Sequence, residues 1–155
     1  MKKISPLVAT AISTAVFCGI WTIAANVFGL LGWAGFAGCT TYFSTGKHGK
    51  AGLLKTVCTN TAGVLCGALS FLLAALIPAF SDWGIWCTIV TFVMVVLSGL
   101  KLFDFCPGIF MGCFCTFAAG GNWQQLLPAM LLGAVLGVLC DHGGVWLHRV
   151  CTKKQ

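Results

Sequence analysis

Acidic side chains are almost missing from this sequence. Glutamate is absent, the aspartates are Asp82, Asp104 and Asp141, and charged residues of both signs make up only 8% of the 155 positions. A water-soluble domain carries about 25% charged residues, so too few solubilising groups are present to cover the surface of one. The same scarcity excludes the chain of buried carboxylates expected of an ion-driven pump. No nucleotide-binding loop and no Asn-Pro-Ala pair occurs, and no nucleophile, base and orienting group stand together, so neither an ATP-driven transporter, an aquaporin nor an enzyme is expected. The ten cysteines lack C-x-x-C or Cys/His ligand spacing. They read as small apolar residues of buried helices rather than as disulfides, and no metal or other cofactor is expected.

What remains is hydrophobic, 59% of the chain. Leu69 to Phe80 and Trp83 to Leu100 are apolar on every face, without the alternation over about ten residues that barrel strands require. Closed backbone hydrogen bonding in hydrocarbon then leaves helices. They are expected at about Pro6–Leu31, Trp33–Thr45, Leu53–Phe80, Trp83–Leu100, Phe105–Ala119 and Leu126–Leu147. The first follows Met1-Lys2-Lys3 in the manner of a signal peptide, yet its apolar run exceeds the roughly 7–15 residues of a signal core. Crossing a hydrocarbon core takes about 20 residues. The second and fifth segments are shorter, so they either cross with shielded ends or dip in and return.

Charge separates these alternatives. The net charge of +6 would suggest nucleic acid in a soluble protein, but every Lys and Arg falls in a gap or a terminus, so no nucleic-acid partner is expected. With six crossings and a cytoplasmic N-terminus, Lys2, Lys3, Lys47, Lys50, Lys55, Lys101, Arg149, Lys153 and Lys154 all lie inside, as the positive-inside rule asks. Re-entrant short segments would put Lys47, Lys50, Lys55 and Lys101 outside. Six crossings are therefore predicted, with Asp82 external and Trp83, Trp86 and Trp123 in an aromatic belt.

The chain also repeats itself. An offset of 74 residues carries Gly38-Cys39-Thr40-Thr41-Tyr42-Phe43-Ser44-Thr45-Gly46 onto Gly112-Cys113-Phe114-Cys115-Thr116-Phe117-Ala118-Ala119-Gly120, both G-C-x-x-x-F-small-small-G. The same offset carries Gly63-Val64-Leu65-Cys66 onto Gly137-Val138-Leu139-Cys140. Three helices per copy make consecutive copies enter from opposite sides. The predicted fold is an all-α membrane protein, one integral membrane domain with six transmembrane helices as a 3+3 inverted-topology repeat, about residues 6–80 and 83–147, its second and fifth helices short. Transporters of this design bind near the midplane, and short segments in matching positions point to the site.

Gly108/Gly112, Gly63/Gly67 and Gly133/Gly137 form G-x-x-x-G faces for close helix approach. These serve packing within one protomer, a subunit interface of a homo-oligomer, or a path lined by backbone. Thr56, Thr59, Asn60 and Thr61 either line a wet vestibule or bond back to their own helix. Cys39 and Cys113 are expected to face each other across the symmetry axis, with Cys66 and Cys140 as a second pair; ligation of a soft metal is the alternative use of their thiolates. Asp141 and His142 read as a proton-linked pair or as an interfacial pair satisfied by water, His142 or Arg149. Asp104, with Lys101 nearby, is expected to cap the fifth helix.

Trp33-Ala34-Gly35-Phe36-Ala37-Gly38-Cys39-Thr40-Thr41-Tyr42-Phe43, with Pro107-Gly108-Ile109-Phe110-Met111-Gly112-Cys113 and Thr116-Phe117-Ala118, resembles the YcdZ-type small inner-membrane proteins of bacteria. The resemblance covers nearly the whole chain. It implies a bacterial cytoplasmic-membrane location, with both termini in the cytoplasm in the topology above, and supports the helix count without supplying a substrate. The expected function is a passive channel or facilitator for a small uncharged or weakly polar solute. Cys39, Thr40, Tyr42, Phe43, Asn60, Cys113, Thr116 and Phe117 line its path, aromatics as constriction and hydroxyls as solute partners. The rival is a non-transporting scaffold or regulatory subunit assembled through the glycine faces. A continuous polar cavity from Thr59 and Asn60 past Cys39 and Cys113 favours the first, and a dry, filled centre the second.

Overall fold

A computed structural model describes residues 4–77 and 83–153. Asp82, Lys2, Lys3 and Lys154 lie outside the described residues. Within them the chain is helical: α1 Pro6–Val27, α2 Gly32–Ser44, α3 Gly49–Leu76, α4 Trp83–Leu97, α5 Cys106–Ala118 and α6 Trp123–Lys153. By length and composition, α1, α3 and α6 suffice to cross a membrane. The 13 residues of α2 and of α5 rise about 20 Å, short of the ~30 Å hydrocarbon core.

Local chemistry explains where helices depart from the expected limits. Ser5 caps α1, its Oγ accepting from the Val8 N–H at 3.2 Å, and Pro6 stands at the first helical position. Gly29, with φ +64°, ends α1 before Leu31. Helix α4 stops at Leu97, where the Ser98 hydroxyl donates to Val95 O at 2.7 Å and the chain turns. Helix α6 begins earlier than expected because Asn122 Oδ1 accepts from the Gln125 N–H at 3.3 Å. The fifth helix differs from expectation too: its N-cap is Phe105 with no side-chain cap, and Asp104 pairs with Lys55 instead.

The molecule is held by two matched seams, α2 on α6 and α3 on α5. A Cβ on Gly38 would run into Met130 O and lie 3.1 Å from Ala134 N, while one on Gly112 would run into Asn60 O and lie 2.9 Å from Val64 N. A Cβ on Gly133 would strike Gly35 O, and one on Gly63 would strike Ile109 O. Gly137 and Gly67 complete the pattern, their added Cβ atoms 2.7 Å from Tyr42 Cβ and Thr116 Cβ respectively. Backbone meets backbone at these points, the close approach that small residues allow in lipid.

The two seams match each other at a register different from the expected one. Positions of α2 and α5 that differ by 74 residues meet positions of α3 and α6 that differ by 70 rather than 74, so that Gly63 takes the place of Gly133 and Gly67 that of Gly137. Four residues is about one helical turn, which keeps the same face toward the seam and sets a glycine against Gly63 at either offset. The order in which residues meet along each seam gives the directions: Gly35, Gly38 and Tyr42 meet Gly133, Ala134 and Gly137 on a parallel pair, and Gly63 and Gly67 meet Ile109 and Thr116 on another. Helix α1 runs against α6, with the Ser13 hydroxyl donating to Cys140 O at 2.9 Å and His148 Nδ1 to Ile4 O at 3.2 Å.

Candidate functional site

Two polar clusters stand out, one inside the bundle and one at its end. The interior holds Thr41, Tyr42, Thr56, Thr59, Asn60, Ser70 and Thr116, all buried. Most hydroxyls here donate to their own helix: Thr41 to Ala37 O, Thr56 to Gly52 O, Thr59 to Lys55 O and Thr116 to Gly112 O, at 2.8–3.0 Å. Such bonds satisfy the side chain without a solute. Asn60 differs. It is 1% exposed, and neither its Oδ1 nor its Nδ2 has a hydrogen-bond partner among the described residues.

Of the expected path residues, Cys39, Tyr42, Asn60, Cys113 and Thr116 are buried, whereas Thr40, Phe43 and Phe117 lie on the outer surface. Their ring and hydroxyl surfaces are therefore turned outward rather than into a constriction. Thr59, Asn60 and Cys39 line none of four cavities among the described residues; Cys113 and Phe117 border a lateral, apolar one of about 190 Å³ between α4 and α5, beside Val90, Met94 and Phe114. Trp86, expected at the aromatic belt, is 7% exposed with no hydrogen-bond partner for its Nε1 among the described residues, while Trp123 is 43% exposed.

The cysteines pair differently from expectation. Cys39 packs with Cys140 and Cys18, and Cys113 packs with Cys66. Neither expected pair, Cys39 with Cys113 nor Cys66 with Cys140, shares a cluster, because each seam joins a short helix to a long one and so sets Cys39 on Cys140 and Cys113 on Cys66. Among the described residues no disulfide forms, and no group of three or more His, Cys, Asp or Glu side chains is placed to hold a metal ion.

The end cluster carries the ionic chemistry. Tyr42, 0% exposed, donates its hydroxyl proton to Asp141 Oδ2 at 2.7 Å and accepts from the Gly49 N–H at 2.8 Å. His48 Nδ1 lies 3.0 and 3.2 Å from the two Asp141 oxygens. Asp141 thus ties α6 to the α2–α3 turn, rather than pairing with His142 or Arg149. Nearby, buried Lys55 donates to Lys101 O at 2.7 Å and Leu102 O at 3.2 Å and pairs with Asp104. The ammonium beside it holds the Asp104 carboxyl below the usual carboxylate range.

Lys55 was read from the sequence only as a topology signal, and His48 was not singled out. A signal was present for Lys55, which shares the i, i+4 rows of Thr56, Thr59, Asn60 and Gly63. For His48 there was none, since its partner is 93 residues away.

A family model described as "Protein of unknown function (DUF1097)" matches residues 11–145. The chain is 38% identical to "Inner membrane protein YcdZ" of Salmonella typhimurium over 91% of its length and 89% of that protein, and to the protein of the same name from Escherichia coli over 91% and 87%. It is 29% identical to "Uncharacterized protein YahC" of Escherichia coli, over 96% and 97%. No solved structure matches.

Proposed function

We propose, from the premise that this chain belongs to the DUF1097 family of proteins of unknown function, that it is a passive facilitator for a small uncharged or weakly polar solute in the bacterial inner membrane. The relatives named inner membrane proteins support the location.

The architecture we infer is six crossings in a 3+3 inverted repeat. Support comes from the matched glycine seams and from the opposed run of α1 and α6. It also comes from the gathering of Ile4, His48, Lys55, Lys101, Asp141 and His148 at one end of the bundle. That end is cytoplasmic by the positive-inside rule, with short α2 and α5 shielded by the long helices they pack against. Reporters fused after Gly46 and after Gly120 are expected on opposite sides, cytoplasmic and external. Both on one side would end the inverted reading.

One observation carries the functional reading: Asn60. An unpartnered buried amide costs about 1–3 kcal/mol, and Asn60 sits near the middle of α3, on the seam where Gly112 touches its backbone. A partner for its two donors and its carbonyl must come from water or a solute, which makes it a binding point in a passage closed in this conformation. The filled interior is what the scaffold reading expects, but that reading also needs free glycine faces. Gly63, Gly67, Gly108, Gly112, Gly133 and Gly137 all face atoms of their own chain.

The experiment is a swelling survey of proteoliposomes with small polyols, amides and weak acids. Wild-type protein is expected to pass at least one class. Asn60→Leu is expected to melt higher, by about 1–3 kcal/mol of stability, and to pass none. Impermeability of the wild type to every solute, or unchanged flux through Asn60→Leu, would refute the proposal.

A further inference from the structure

The basic end of the molecule has too few acids to balance its own charge. Of the aspartates described, Asp104 is paired with Lys55, and Asp141 is occupied by Tyr42 and His48. Among the described residues Arg149 has no ion-pair partner, and it lines a cavity of about 650 Å³ with His48, Gly49, His142, Val145 and Trp146. Two imidazoles in that cavity commit the same nitrogen. His48 Nδ1 bonds to Asp141, and His142 Nδ1 donates to Val138 O at 2.9 Å. Both partners are acceptors, so each ring donates from Nδ1 and, as the imidazolium, also presents an Nε2–H to an anion; the Nε2 of His142 lies 4.0 Å from where a Cβ on Gly49 would stand. Asp141, also on the cavity wall, has an 11% exposed side chain with both oxygens engaged, so its charge is directed inward to Tyr42 and the turn.

The remaining wall is apolar. Val145 is 45% exposed and Trp146 65% exposed, one and two helical positions beyond Gly144 on the face that holds Arg149 a turn later. A guanidinium and two imidazole Nε2 atoms beside an exposed indole make an amphipathic pocket at the end of a membrane-crossing helix. Tryptophan settles at headgroup level, and basic pockets between helices there accept lipid headgroups. We infer that this cavity binds a phosphate group, held by Arg149, His48 and His142, with the glycerol or acyl portion of its carrier against Val145 and Trp146. The wall composition points to an anionic phospholipid as the carrier in preference to a soluble phosphate.

Full-length protein in neutral detergent is titrated with phosphatidylglycerol, with phosphatidylcholine and with inorganic phosphate, following the thermal midpoint. Phosphatidylglycerol is expected to bind more tightly than phosphatidylcholine, and Arg149→Gln to weaken it about fivefold, with His142→Gln acting in the same direction. Lys50→Gln, at the same end but outside the cavity, is expected to leave binding within error of wild type. Saturation by inorganic phosphate alone, lost in Arg149→Gln, would keep the phosphate site and assign it to a soluble carrier. Equal losses in Arg149→Gln and Lys50→Gln, or no preference among the three additives, would overturn the site, because undirected surface charge then explains the binding.

Discussion

Gly63→Ala is expected to lower stability by about 1–3 kcal/mol, the usual cost of forcing a methyl into a packed interior. The added atom would collide with Ile109 O and lie 2.8 Å from Cys113 N. Both are backbone atoms of α5, so no side chain can rotate away and the helices must separate along the seam. In lipid the hydrophobic effect does not resist that separation, and the two backbones forfeit the van der Waals packing that held them together. Gly133→Ala meets Gly35 O in the other seam and is expected to cost a similar amount. The two seams use different helices, so the double variant should show nearly additive loss. Gly19→Ala provides the contrast: nothing lies within 4 Å of its added Cβ, and helix propensity favours it by about 1 kcal/mol. Thermal unfolding in detergent distinguishes them. A Gly63→Ala protein as stable as Gly19→Ala would mean that α3 and α5 do not pack as described.

Tyr42→Phe is expected to be comparably damaging although it removes one oxygen. That oxygen accepts from the Gly49 N–H and donates to Asp141 Oδ2. Its loss leaves a backbone donor and a carboxylate oxygen short of partners where Tyr42 is fully buried, at about 1–3 kcal/mol. Asp141→Leu removes the acceptor and releases His48. In the double variant the carboxylate left short by Tyr42→Phe is gone, so its loss should be smaller than the sum of the single ones. Thermal midpoints of the four proteins give the coupling. Strict additivity would show that the Tyr42–Asp141 bond does not form in the folded protein.

The helices and their order were legible because apolar runs separated by short polar gaps leave no other backbone arrangement in hydrocarbon. The short second segment was legible from the same reasoning, bounded by Leu31 and Thr45. Less could be read of the ends, where single groups decide: the αL glycine Gly29, the Asn122 cap and the Ser98 turn each moved a boundary. The site was read in part. Asn60 was named for its polarity on an apolar helix, but that its amide is the unpartnered one, while Thr56, Thr59 and Thr116 satisfy themselves, depends on side-chain surroundings. Thr40, Phe43 and Phe117 share a helix with buried neighbours yet face outward, since each seam buries only one stripe of α2 or α5.

The sequence by itself determined that this is a helical membrane protein with basic residues at the ends of its apolar runs and a glycine–cysteine motif that occurs twice, because composition and periodicity are local properties. Tertiary structure alone decided which helix packs on which. It crossed α2 with α6 and α3 with α5, moved the α3/α6 correspondence by one turn, and parted Cys39 from Cys113. It also brought Asp141 to His48. A glycine face or a lone carboxylate carries no label for its partner; only the close approach of two backbones, or the meeting of a donor with an acceptor far along the chain, supplies one.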